Sequence, residues 1–94
     1  MPESKEDSSN SDVSEGQVGK YTIAIAAMLS GSEPHRIRRF EEAGLFKPAR
    51  TEAGQRLYSD SEIELIKEIC KLEKEGINLQ GVKAILAIRK GERQ

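Results

Sequence analysis

The sequence predicts a mainly α-helical domain of about four short helices, with a small β-hairpin set between the second helix and the third. Three observations lead there. Apolar residues recur at helical spacing in four stretches, each bounded by a capping residue or a glycine. Between Leu45 and Tyr58 that periodicity disappears, and Pro48 and Gly54 take its place. Residues 1–19 are rich in Ser, Glu, Asp, Asn and Gly, with only Val13 and Val18 as aliphatic residues besides Met1, so they hold too little apolar surface to join a core. The expected organisation is a disordered acidic tail over 1–19, a folded domain over 20–90 and a frayed C-terminus over 91–94.

The first helix is capped by Thr22, carries Ile23, Ala26, Ala27 and Ser30 at helical spacing, and stops at Gly31. Its small alanines admit a close neighbour. Ser32 or Glu33 precedes Pro34, whose missing N–H costs nothing at the first helical position, and the second helix runs from Pro34 to about Ala43 before Gly44. The stretch Leu45–Tyr58 reads as a hairpin or wing, with a tight turn at Gly54 and with Phe46, Leu57 and Tyr58 available to pin it to the helices. Ser59 and Glu62 form a capping box for a third helix, in which Ile63, Leu65, Ile66, Ile69, Cys70 and Leu72 make an apolar stripe ending at Gly76. Asn78 caps a fourth, with Ile77 set against Val82 as a hydrophobic staple and Ile85 and Leu86 completing its buried face; this helix frays near Gly91.

Charge is distributed unevenly. Residues 1–19 carry five acids (Glu3, Glu6, Asp7, Asp12, Glu15) against Lys5, a net of −4; taking this from the total of −1 leaves +3 for residues 20–94. Within Glu33–Tyr58, six Lys/Arg face four acids, whereas 59–94 balances at seven against seven. Positive charge gathered in one short stretch suits a phosphate backbone. A domain of this size buries only about 60% of its unfolded surface, which disfavours a deep catalytic pocket. One cysteine excludes an internal disulfide and a cysteine-rich metal cluster, and an uncapped thiol suits the reducing cytoplasm. No apolar run approaches the roughly 20 residues that span a bilayer, and no basic-then-apolar signal peptide opens the chain.

The first two helices, joined by Leu29-Ser30-Gly31-Ser32, have the anatomy of a helix-turn-helix, whose second helix enters the major groove. On that helix Ile37, Phe40 and Glu41 share one face, whose apolar pair docks on the first helix, while His35, Arg38, Arg39 and Glu42 lie on the opposite side and Arg36 at the border. Guanidinium groups there grip phosphates or offer paired donors to guanine O6 and N7. Arg50 and Arg56 flank the hairpin turn, where they reach phosphates and fix register, with Lys47 as a third contact. The plainer alternative is a solvated helix whose arginines pair with Glu41 and Glu42. Two Phe, two Tyr and no Trp give little material for stacking single-stranded bases. A single histidine supports no catalytic triad, Glu41 and Glu42 point to different sides of a helix, and neither a phosphate-binding glycine loop nor a zinc-ligand spacing occurs. Cys70, on the apolar stripe, is expected to be a buried core thiol.

The order Tyr21-Thr22-Ile23, Gly31, Arg38, Glu41-x-x-Gly44-Leu45, Pro48-x-Arg50, Gly54-x-Arg56-x-Tyr58-Ser59 and a helix ending at Gly76 resembles the DNA-binding domain of the mercury-resistance (MerR) family, a winged helix-turn-helix, from Tyr21 to about Leu86. Glu75-Gly76-Ile77-Asn78-Leu79-Gln80-Gly81-Val82-Lys83 is similar to the heat-shock repressor (HspR) and glutamine-synthetase repressor (GlnR) branches. The resemblance implies a bacterial, cytoplasmic, nucleoid-associated transcription regulator. Its expected role is repression, its partner double-stranded DNA, and it needs no cofactor, metal or enzymatic activity. Pro34–Ala43 is then the recognition helix, and the implied DNA-binding set is His35, Arg36, Arg38, Arg39, Lys47, Arg50, Arg56 and Tyr58. The chain departs from the family at Arg39-Phe40, where two aromatics are usual, and at Gln55, where a wing tyrosine precedes the arginine, so base preference and phosphate contacts are expected to differ. Family members pair on twofold operators through a longer helix after the fourth, which these 94 residues do not contain. A homodimer formed by terminal segments or on DNA, and contact with RNA polymerase or another regulatory protein, are the further partners implied. Two other functions remain open: an excisionase-like architectural protein, and a protein-interaction module reusing the fold.

Overall fold

Each helix begins where the sequence offers its backbone a substitute partner. In the computed structural model, which describes residues 16–92, Thr22 caps α1 (Ile23–Ser30) by accepting a hydrogen bond from the Ile25 N–H at 3.4 Å. Gly31 ends it at φ 73°, a left-handed conformation that costs glycine little, and donates to the Ala27 carbonyl at 2.9 Å. After the turn, Pro34 opens α2 (Pro34–Glu42), whose N-cap Glu33 makes no side-chain capping bond. The Ser59–Glu62 capping box is complete, at 2.9 and 3.1 Å, and starts α3 (Asp60–Lys74). Asn78 Oδ1 accepts from the Gly81 N–H at 2.9 Å at the head of α4 (Leu79–Glu92). Residues 1–15 of the expected tail and 93–94 of the expected frayed end lie outside the described residues.

Between α2 and α3 the chain forms an antiparallel hairpin of two-residue strands, β1 (Ala49–Arg50) and β2 (Arg56–Leu57), with Ala49 opposite Leu57 and Arg50 opposite Arg56. Gly54 takes the positive φ (89°) that the turn needs, and Thr51 closes the loop by accepting the Gly54 N–H on its carbonyl and the Gln55 N–H on its hydroxyl. A third segment lies beside this ribbon. Tyr21 and Tyr58 exchange backbone hydrogen bonds at 2.9 and 2.7 Å, and the Ser61 N–H donates to the Gly16 carbonyl at 2.8 Å.

The core is one cluster: Ala26 and Ala27 from α1, Ile37 and Phe40 from α2, Tyr58 after β2, Ile63, Ile66, Ile69 and Leu72 from α3, and Val82 from α4. Because α1 contributes only alanines, α2 and α3 both pack directly against it, while α4 packs on α3. Ile77 sits partly buried against the same cluster as Val82, where a staple would place it. Cys70 departs from expectation: it is half-buried at the margin of the stripe, because Ile66 and Ile69 hold the centre of the α3 face.

Polar ties fasten the ends. The Tyr21 hydroxyl donates to Asp60 Oδ1 at 2.6 Å and Lys20 Nζ lies 2.9 Å from Asp60 Oδ2; the tyrosine bond first, then Lys20, hold the Asp60 carboxyl below its ordinary range. Arg89 likewise reaches Glu68 at 2.6 Å, joining α4 to α3.

Ile66 is fully enclosed, so Ile66→Ala is expected to lower unfolding stability by about 2–5 kcal/mol in urea titrations, whereas Lys67→Ala, one residue along, stays within about 0.5 kcal/mol. Equal effects would contradict the packing. A carboxyl with a lowered pKa stabilises the fold above its ordinary pKa and loses that contribution as pH falls through the lowered value. Tyr21→Phe should therefore move the Asp60 titration midpoint upward in carboxyl-carbon NMR, and an unmoved midpoint would rule out the tie.

Candidate nucleic-acid interface

Burial of Ile37 and Phe40 decides which side of α2 meets solvent. His35, Arg38 and Arg39 are exposed, and among the described residues neither Arg38 nor Arg39 forms an ion pair. His35 Nδ1 lies 3.4 Å from Glu33 Oε1, a pairing that operates only when the imidazole is protonated. Arg36 is turned the other way. Its guanidinium donates to Glu73 on α3 and lies 5.7 Å from the Phe40 ring centroid, so it braces α2 against α3 instead of joining the exposed face.

The hairpin brings Arg50 and Arg56 directly opposite one another. Both reach back to α2, where Glu41 accepts the Arg56 Nε–H at 2.6 Å and lies 3.5 Å from Arg50 Nη2. Arg50 Nη1 also donates to the Gly54 carbonyl across the turn, at 2.8 Å. Glu41 is only 16% exposed, and its hydrogen bond is the main cause that raises the Arg56 pKa further above its ordinary value. Lys47 is exposed and, among the described residues, forms no ion pair.

Tyr58 corrects an expectation. The family resemblance implies that it contacts DNA, yet it is 0% exposed and makes a T-shaped contact with Phe46 at a ring-centroid distance of 6.3 Å. The cause is its pairing with Tyr21, which closes the edge of the wing and turns the ring inward. Burial raises the phenol's pKa, and among the described residues its hydroxyl has no hydrogen-bond partner. The structure therefore brings Arg38, Arg39 and His35 together on α2 and joins Arg50 and Arg56 to that helix through Glu41, while Arg36 braces α2 against α3 and Tyr58 lies in the core. Sequence spacing missed Glu41 as the shared acceptor. The available signal was two cross-strand arginines near a helix with an acid at its border.

A groove of about 480 Å³ runs beside the turn between α1 and α2, lined by Arg36, Lys67, Cys70, Lys71 and Lys74 among others. Among the described residues, no group of three or more His, Cys, Asp or Glu is placed to hold a metal ion, and no helix is long and apolar enough to cross a membrane.

Two helices joined by a tight turn, a basic outer face on the second and a hairpin fastened beside it define a winged helix-turn-helix, the architecture of DNA-binding regulators. Residues 21–87 match the model of the MerR HTH family of regulatory proteins, and the chain belongs to that family. It is similar to HspR of Streptomyces coelicolor, described as a heat shock protein, with 42% identity over 69 residues, covering 72% of this chain and 46% of that protein. It is also similar to the HTH-type transcriptional regulator MlrA of Escherichia coli, 37% identical over 68 residues (71% of this chain, 28% of MlrA). The HTH-type transcriptional regulator GlnR of Bacillus cereus is 31% identical over 72 residues, 77% of this chain and 56% of GlnR. The expected likeness to the HspR and GlnR branches is thus found, and the chain spans about half or less of these curated relatives.

Since Arg36 braces the two helices, Arg36→Ala should cost about 1 kcal/mol of stability, while Arg39→Ala, which loses no ion pair, stays within about 0.5 kcal/mol. Chemical denaturation of the two variants side by side checks this, and equal stabilities would contradict the brace.

Proposed function

We propose that this domain, residues 20–90, docks α2 in the major groove of duplex DNA with its hairpin on the flanking backbone, and that the chain thereby regulates transcription as a repressor. One observation carries the proposal: Arg38 and Arg39 stand exposed and, among the described residues, without ion pairs on the face of α2 opposite its buried residues, one turn from the acid that holds both wing arginines. Unpaired guanidinium groups are available to phosphate oxygens or to guanine edges. Lys47, Arg50 and Arg56 are the backbone contacts, and His35 stands at the groove-facing end of the helix. Arg36 and Tyr58 act through the fold.

Repression is supported by the similarity of Glu75–Lys83 to the HspR and GlnR branches, and family membership is that of regulatory proteins, not of a catalyst class. A second copy on a twofold operator, in the bacterial cytoplasm on the nucleoid, completes the proposal. RNA polymerase or another regulatory protein is the macromolecule whose access the bound pair would alter.

A salt titration of binding to random-sequence duplex DNA tests the docking. Removing one phosphate contact should make the salt slope shallower by about one unit. Arg38→Ala or Arg39→Ala is expected to show that change if the residue grips phosphate, or to relax sequence preference at one base position if it reads a base. Wild-type protein that binds no duplex even at low salt would sink the proposal, and unaltered binding by both variants would remove α2 from the interface.

A further inference from the structure

We infer that Glu41 is a positioning residue that aims the wing arginines at the DNA backbone, an inference that rests on the DNA-binding proposal above. Glu41 is the penultimate residue of α2, near a helix C-terminus, where the helix dipole disfavours negative charge. An acid there needs compensation, and the hairpin supplies it. Arg50 and Arg56 are directly opposite across the two strands, an arrangement of like charges that is destabilising unless an anion is shared between them. Glu41 is that anion, at 2.6 Å from Arg56 Nε and 3.5 Å from Arg50 Nη2.

The geometry of the Arg56 bond matters more than its charge. A guanidinium has five donors on a planar fork. Glu41 engages Nε, on the side edge of that fork, and leaves the outer edge formed by the two terminal nitrogens without a hydrogen-bond partner among the described residues. Arg56 is thus held by its inner edge and offers its outer edge, the one that matches a phosphate with two parallel hydrogen bonds. Lysine has no second edge, so it cannot be held and donate in this way.

Glu41 would therefore act on DNA in two opposed ways. Its negative charge weakens attraction to any duplex, while its hold on Arg56 lowers the ordering cost of the phosphate contact and keeps the wing in register with α2. The positioning role predicts that removing the charge loosens binding to a preferred sequence, where register counts, and not to arbitrary DNA.

The test compares wild type, Glu41→Gln, Arg56→Lys and the double variant on two duplexes: one of random sequence and one selected by the wild-type protein from a random pool. Glu41→Gln should bind the random duplex as well as wild type or better, and the selected duplex about tenfold more weakly, the scale of one charge-assisted hydrogen bond. Arg56→Lys should show a similar loss on the selected duplex, and the double variant no more than either alone, because one interaction is being removed. Tighter binding of Glu41→Gln to both duplexes would overturn the inference by making Glu41 only a repelling charge. In DNA-free protein, the Arg56 Nε–H should give a solvent-protected NMR signal that Glu41→Ala, which removes the acceptor, abolishes; a signal unchanged by that substitution overturns the inference alone. Wild-type protein that binds neither duplex overturns the DNA proposal, and the aiming role with it.

Discussion

Everything this domain presents to solvent on its second helix depends on the burial of two residues, Ile37 and Phe40, in the core cluster that also holds the alanines of α1 and the isoleucines of α3. They lie three positions apart, so once both are enclosed the rotation of the nine-residue helix is fixed. Arg38 and Arg39 must then point outward. The residues at the borders of the buried face meet a neighbouring element instead: Arg36 meets Glu73 on α3, and Glu41 meets the arginines of the hairpin. One apolar contact thus sorts the helix into an exposed basic face, a brace and a clamp.

The hairpin shows the opposite economy. Two-residue strands do not hold together in water by themselves. This ribbon persists because it is fastened on three sides. Tyr21 pairs with Tyr58 along the backbone, the Tyr58 ring enters the core with Phe46 against its edge, and Arg56 is tied to α2 by Glu41. The segment before α1 therefore belongs to the wing as much as to the helix it precedes, and the Lys20–Tyr21–Asp60 cluster ties that segment to the start of α3. A tyrosine that sequence similarity assigned to the DNA surface is used instead as the wing's root.

What the sequence made legible follows from range. Helix starts and stops are local events, and Thr22, Pro34, the Ser59–Glu62 box, Asn78 and Gly31 each mark a boundary where the structure has one. The apolar stripes of α2 and α3 were equally readable, since their period is set within a few residues. Periodicity gives an angle around a helix, however, and not the identity of the neighbour that fills it. Hence periodicity alone leaves Arg36 and Tyr58 on the DNA-facing surface, where the structure does not place them, and sets Cys70 deeper in its stripe than its half-buried position. The Arg56–Glu41 pair, fifteen residues apart, depends on how far the hairpin folds back, which no local pattern encodes.

The same sorting bears on how strongly such a domain could hold DNA. Of the six basic residues in Glu33–Tyr58, Arg36 is engaged by Glu73 and Arg50 and Arg56 share Glu41, leaving Arg38, Arg39 and Lys47 without ion pairs among the described residues. Counterion release scales with the number of phosphates neutralised, so three free cations and two shared ones generate only a modest sequence-independent attraction. A single domain docked as proposed would leave most of its affinity to geometry: the fit of α2 in the groove and the fixed offset of the wing. Pairing two such domains on one duplex doubles the electrostatic term and adds the constraint of half-site spacing. If the proposed docking holds, a surface with few unpaired charges among the described residues, held by Glu73 and Glu41 in one arrangement, favours fit over coating of arbitrary DNA.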